Sequence, residues 1–152
     1  MRHLLIAIAA IFSFLSAAQA CSDYALWSSN TYNLSVDKLY SPQSYDIREG
    51  GENYLSKCGF NINETGYFTT TPDFSFGLSK MNGYRLVVSV LSNCDAALLV
   101  NRANSQWLYD DDSNGKADPR LELSNLGKGV LEVWVGTYND GYCDATLTLE
   151  TF

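Results

Sequence analysis

Asp110, Asp112 and Asn114, followed by Gly115, spell D-x-D-x-N-G, the opening half of a calcium loop. Ca²⁺ takes about six to eight oxygens at roughly 2.3–2.6 Å, drawn from carboxylates, amides, carbonyls and water. Alternate residues of a curled loop supply such oxygens, Gly115 permits the sharp turn, and Asp118 stands where a ninth-position ligand would. The twelfth position is Leu121, so the bidentate glutamate of an EF-hand is missing. The expectation is a calcium site on Asp110, Asp112, Asn114 and Asp118, with Asp95 as a further candidate. The plain alternative is a solvated turn in which aspartate and asparagine bond nearby backbone amides. Something positive is expected to offset the repulsion among Asp110, Asp111 and Asp112, either a cation or one of Lys116, Arg120 and Arg102.

The aromatic residues are a second chemistry. Phe, Trp and Tyr make up 13% of the chain, and ten of these residues are tyrosine. Exposed aromatic rings stack on sugars and peptides. Trp27, Trp107 and Trp134 are the candidates, with Trp107 and Trp134 carrying the ligand-binding expectation; packing in a core is the alternative for each.

Nucleophilic catalysis is poorly supplied. The single histidine, His3, falls in a leader segment, which removes Ser-His-Asp, Cys-His and the usual zinc-hydrolase centres. Neither G-x-S-x-G nor the D-T-G of aspartic proteases occurs. A paired-carboxylate mechanism drawing on Asp110, Asp111, Asp112, Asp118 and Glu132 has no spacing to fix it. The reading is a protein that is not an enzyme.

The leader is residues 1–20: a short basic start, an apolar stretch over 4–15, and small residues at Ala18 and Ala20. That pattern is a signal peptide, leaving a single domain over 21–152 and a secreted or periplasmic location. Lipidation of Cys21 fits poorly, because Ala18 and Gln19 stand where a lipobox has Leu and a small residue. Cys21, Cys58, Cys94 and Cys143 form an even set in an exported chain, so two disulfides are expected, with three pairings open. Without the leader the chain carries nine basic and 17 acidic side chains, a net charge of −8. Such a domain is a poor ligand for nucleic acid, and at most peripheral to an anionic membrane.

The elements that position these residues read as strands. Leu86, Val88 and Val90 alternate, as do Leu98 and Val100, Leu121 and Leu123, Leu131, Val133 and Val135, and Leu147 and Leu149. Turn signals separate them, among them Asn82-Gly83, Asn114-Gly115 and Asp140-Gly141. Residues 22–39 show no period and read as an irregular segment draped over the domain. About eight or nine short strands imply an all-β fold: a single antiparallel β-sandwich, jelly-roll-like.

Cys94-Asp95-Ala96-Ala97-Leu98-Leu99-Val100, then Trp107, Asp110-Asp111-Asp112, Gly129 and Val133-Trp134-Val135-Gly136-Thr137, resembles the bacterial pre-peptidase C-terminal domains. The match covers residues 84–152, and the chain is also similar to small exported proteobacterial proteins of unassigned role. The resemblance implies a β-sandwich accessory module, in some relatives calcium-binding. The functional expectation is an exported, non-catalytic binding or accessory module, stabilised by Ca²⁺, with a protein or glycan partner. The alternatives are a carbohydrate-binding module and a structural envelope protein without a ligand.

Overall fold

The computed structural model describes residues 21–60, 64–103 and 105–152; the leader read from 1–20 lies outside them. The strands are β1 Thr31–Ser35, β2 Gln43–Gly50, β3 Asn53–Tyr54, β4 Tyr67–Phe68, β5 Phe74–Ser79, β6 Leu86–Ser92, β7 Ala96–Arg102, β8 Trp107–Asp110, β9 Arg120–Leu123, β10 Gly129–Thr137 and β11 Tyr142–Thr151. A four-residue helix, α1 Val36–Leu39, follows β1.

These strands make a β-sandwich. One sheet has four strands in the order β2-β11-β6-β9. The other has seven and is built on β10, which pairs with β7 along one edge; β8 continues beyond β7. The other edge of β10 pairs first with β5 and, past a gap, with β4 at Thr137. Asp73 bridges the gap. Its N–H donates to the Val133 carbonyl at 2.9 Å, and its Oδ2 accepts the Val135 N–H at 2.8 Å. Pro72, with no N–H to satisfy, precedes it without cost to this ladder.

The alternating aliphatics meet between the sheets. Leu86, Val88, Val90, Leu98, Val100, Leu131, Val133, Val135, Leu147 and Leu149 all belong to one buried cluster. Each such side chain contributes roughly 1.5–3 kcal/mol relative to leaving it in water. A second, smaller cluster lies on the outer face of the seven-stranded sheet. It gathers Leu55, Phe68, Ala97, Leu99 and Trp134, with Phe60, Trp107 and Tyr109 packed against it. Phe68 is tightly wedged there. A Cβ on Gly136 would stand 2.6 Å from its ring, and one on Gly51 would meet its backbone at 1.9 Å.

Three features depart from the sequence reading. The strands number eleven, because the two-residue β3 and β4 are too short to alternate. Strand β1 lies within the stretch read as irregular; at the edge of its sheet it buries fully only Leu34, which leaves no period to see. It also pairs with β5 in parallel, the one such pairing in an otherwise antiparallel sandwich among the described residues. The disulfides choose one of the three pairings: Cys21–Cys58 and Cys94–Cys143.

Candidate functional site: the acidic crossover and the braced aromatic turn

The acidic stretch is the crossover from β8 in one sheet to β9 in the other. It turns through three successive left-handed residues, Gly115 (φ +76°), Lys116 (φ +59°) and Ala117 (φ +60°). Its carboxylates cap its own backbone. Asp110 Oδ2 accepts the Ser113 N–H at 3.0 Å and the Arg120 N–H at 2.7 Å, and Asp110 Oδ1 accepts the Ser113 hydroxyl. Asp118 is buried, and its Oδ1 accepts the Ser92 N–H at 2.9 Å. The Asn114 N–H donates to the Asp118 carbonyl at 2.9 Å. Asp112 and Asn114 are exposed.

Of the four residues expected to share a calcium ion, Asp110 and Asp118 therefore accept from separate donors, Ser113 and Arg120 for the one and Ser92 for the other. Among the described residues no three His, Cys, Asp or Glu side chains stand close enough to hold a metal ion. In this arrangement the donor set Asp110, Asp112, Asn114 and Asp118 does not fit a calcium cage. Arg120 and Arg102 do not neutralise the loop with their side chains either: Arg120 pairs with Glu122, and Arg102 bonds Gln106 and the carbonyls of Ser124 and Asn125. Burial and then the Asp112 charge hold both Asp95 and Asp111 above the usual carboxylate range.

Behind this loop Ser92 joins two buried acids. Its hydroxyl donates to Glu49 Oε1, while its N–H serves Asp118. Glu49 on β2 has no exposed surface, and its Oε2 has no hydrogen-bond partner among the described residues. Burial pushes its carboxyl up to about 7, against the Ser92 bond, which lowers it. Glu49 carries no signature in the chain, since it stands between Arg48 and the pair Gly50-Gly51.

The tryptophans divide differently from expectation. Trp134 is 0% exposed and donates from Nε1 to the Thr70 carbonyl at 3.4 Å. Trp107 is half-buried, with ring centroids of Trp134, Phe60 and Tyr24 at 5.2, 4.6 and 5.9 Å. Both serve the outer cluster, because β7, β8 and β10 turn one face to the N-terminal segment as well as one to the sandwich interior. Trp134, without exposed surface, has no face to offer a ligand. Trp27 is the exposed tryptophan, at 64%.

Trp27 closes a turn over residues 23–27 in which Tyr24 (46%) and Leu26 (39%) are exposed as well. The turn is tied within itself: the Leu26 N–H donates to the Asp23 carbonyl, and the Ala25 N–H to Asp23 Oδ1 at 2.9 Å. Both its ends are fastened to the segment 69–75. On one side Ser22 Oγ donates to the Thr69 carbonyl at 3.0 Å, and the Asp23 N–H donates to the Thr70 carbonyl at 2.9 Å. On the other, Ser28 donates its N–H to Ser75 Oγ and its hydroxyl to the Asp73 carbonyl, at 3.0 and 2.6 Å. Ser75 Oγ in turn donates to the buried Glu132 at 2.5 Å, so Glu132, once a candidate acid, is a brace. Cys21–Cys58 pins the same segment one residue before Ser22.

At the foot of the turn lies a shallow groove of about 370 Å³, lined by Ser28, Asn30, Thr71 and Asp73 among others. A wider groove of about 670 Å³ runs over the outer face of the four-stranded sheet, past Asp46, Arg48, Leu91 and Asp144. Among the described residues no aromatic ring lines either groove. No helix among the described residues is long and apolar enough to cross a membrane.

No protein-family model and no curated protein matches the chain. Among solved structures it is similar to the pre-peptidase C-terminal domain of a collagenase from Bacillus anthracis, with 10% identity, a TM-score of 0.48, and coverage of 80% of this chain and 95% of that domain. It is also similar to Aeromonas hydrophila PliG, a periplasmic inhibitor of g-type lysozyme, with 8% identity, a TM-score of 0.41, and coverage of 81% and 98%. The likeness concerns the fold alone.

Proposed function

We propose that the protein is an exported, non-catalytic binding module that meets its partner outside the cytosol with the braced turn at residues 23–27. The observation that carries this reading is the exposure of Tyr24, Leu26 and Trp27 together on a segment held at both ends by buried serines and a disulfide. Tryptophan and tyrosine dominate binding hot spots, and a pre-ordered turn loses little conformational freedom on association. Tyr24 rests one edge of its ring on Trp107, and Leu26 and Trp27 stay exposed beside it.

The remaining chemistry supports binding over catalysis. The carboxylates available for acid–base work, Asp110, Asp118 and Glu132, each accept bonds from separate backbone or hydroxyl donors. Two disulfides suit an oxidising compartment. The experiment is co-purification from the envelope and culture fluid of the producing cell. Wild type is compared with Trp27→Ala combined with Leu26→Ser, and with Leu91→Ser as an exposed control. A partner kept by wild type and the control but lost by the double variant supports the reading; equal recovery in all three, or in none, overturns it.

A further inference from the structure

We infer that the free edge of β2 is the contact through which two copies of this chain pair, β2 against β2, to make one continuous sheet with four strands from each copy. β2 spans Gln43–Gly50 and bonds only to β11. Its unbonded side follows from the alternation of an antiparallel ladder. Arg85 and Phe152 exchange both backbone hydrogen bonds, at 3.0 and 2.9 Å, so Glu150, Thr148 and Thr146 of β11 turn their backbone groups to β6. Leu149, Leu147 and Ala145 turn theirs to β2, where they meet Gln43, Tyr45 and Ile47. Ser44, Asp46 and Arg48 are left with N–H and carbonyl groups aimed away from β11, and no other strand among the described residues takes them. The inner face is unfinished on the same side. Tyr45 and Ile47 pack against the core yet are only half-buried, and Tyr32 of β1, with its ring centroid 4.6 Å from that of Tyr45, is 37% exposed.

A bare edge of this length is a template for another strand. Charges on an edge ordinarily prevent self-pairing, because a second copy sets like against like. Here their spacing reverses that effect. In a two-fold contact between antiparallel strands the same patch meets itself, and only registers two residues apart keep the inner faces of both copies together. Centred on Ile47, the register sets Asp46 of each copy opposite Arg48 of the other and Ile47 opposite Ile47. Centred on Asp46 or on Arg48, it sets two like charges face to face, which is repulsive. Charge thus selects one register. In that register each Asp46–Arg48 pair also exchanges both backbone bonds, since these are the residues whose N–H and carbonyl groups point outward. Neither side chain has an ion pair within its own chain among the described residues. Asp46 accepts the Thr146 hydroxyl at 3.2 Å, and the Arg48 guanidinium lies 5.8 Å from the centroid of the Tyr142 ring. The contact leaves the turn at residues 23–27 free, because Tyr24 rests on Trp107 in the outer cluster of the other sheet.

Sedimentation velocity over a wide range of concentration, on the folded and disulfide-bonded domain, reads the pairing. Wild type is expected to pass from monomer to dimer as concentration rises. Asp46→Arg gives a chain with arginine at both positions, and Arg48→Asp gives one with aspartate at both. Each alone is expected to stay monomeric where wild type is mostly dimeric. Mixed in equal amounts, the two form a heterodimer, because every charge again faces its opposite, and that recovery shows both variants to be folded. The double variant, Asp46→Arg with Arg48→Asp, pairs as wild type does. Wild type that stays monomeric throughout overturns the inference. So does a dimer that both single variants keep, or a pair of single variants that remains monomeric on mixing.

Discussion

Asp118 Oδ1 accepts the backbone N–H of Ser92 at 2.9 Å, across 26 residues of chain and between the acidic crossover and the end of β6. The contact makes a sequence-predicted calcium ligand into a structural cap. Asp118→Ala leaves a partly buried amide without its acceptor, and the expected loss is about 1–3 kcal/mol in urea unfolding. Asp118→Asn, which keeps an acceptor oxygen, costs less. Millimolar Ca²⁺ is expected to leave the melting temperature of wild type unchanged. A rise that vanishes in Asp110→Asn combined with Asp112→Asn would show instead that the loop re-forms around the ion.

The three tryptophans separate in energy as they do in exposure. Trp134→Ala empties a fully buried site under β4 and β8, with an expected loss of about 3–5 kcal/mol. Trp27→Ala changes stability by no more than about 0.5 kcal/mol, as surface substitutions usually do. Denaturation midpoints of the two variants check this. Equal losses would mean that Trp27 is packed and the turn is not presented.

Acid stability follows from the buried carboxyls. Glu49 rises from 4.5 to about 7 and Asp73 from 3.8 to about 7, both chiefly through burial. A carboxyl whose folded value is raised binds its proton more tightly in the folded state. The stability it confers is full below the unfolded value and is lost as pH climbs through the folded one. Folding free energy is therefore expected to decline between about pH 4.5 and 7.5 and then level off, with Glu49 accounting for about 3 kcal/mol of the decline. Glu49→Gln keeps an acceptor for Ser92 and flattens the profile. Urea midpoints at pH 5, 6, 7 and 8 measure it; stability rising over that span would contradict the assignment.

Cys21–Cys58 joins residues 37 apart, and the chain-entropy model gives such a closure about 4 kcal/mol. Its loss is expected to act locally as well. In Cys21→Ser with Cys58→Ser, amides of residues 22–30 exchange early, while those of β10 and β11 stay protected. Hydrogen exchange followed residue by residue distinguishes this from uniform loosening, which would show that the disulfide steadies the whole sandwich and not the turn.

The sandwich was legible where strands bury one face. Leu86, Val88 and Val90, or Leu147 and Leu149, alternate because the other face meets water. The signal failed where a sheet is covered twice. Trp134 alternates with Val133 and Val135 as a solvent-facing residue would, yet Tyr24, Leu55, Phe60 and Phe68 gather over that outer face and it is buried. Strand β1 and the short β3 and β4 were hidden because edge and two-residue strands carry no period. At the acidic crossover the residue types were legible and their partners were not. A carboxylate serves a backbone amide as readily as a cation, and only the tertiary placement of Ser92 and Arg120 decides between them. The brace of the aromatic turn rests on Ser22, Ser28 and Ser75, residues that carry no signature of their own in the chain.

The most direct test of the account is photo-crosslinking in the producing cell, with benzoylphenylalanine placed at position 27 or, for comparison, at position 91, where Leu91 is 61% exposed on the opposite sheet. The account expects a discrete adduct from position 27 and none from position 91. An adduct from position 91 alone, equal adducts from both, or none from either would contradict it.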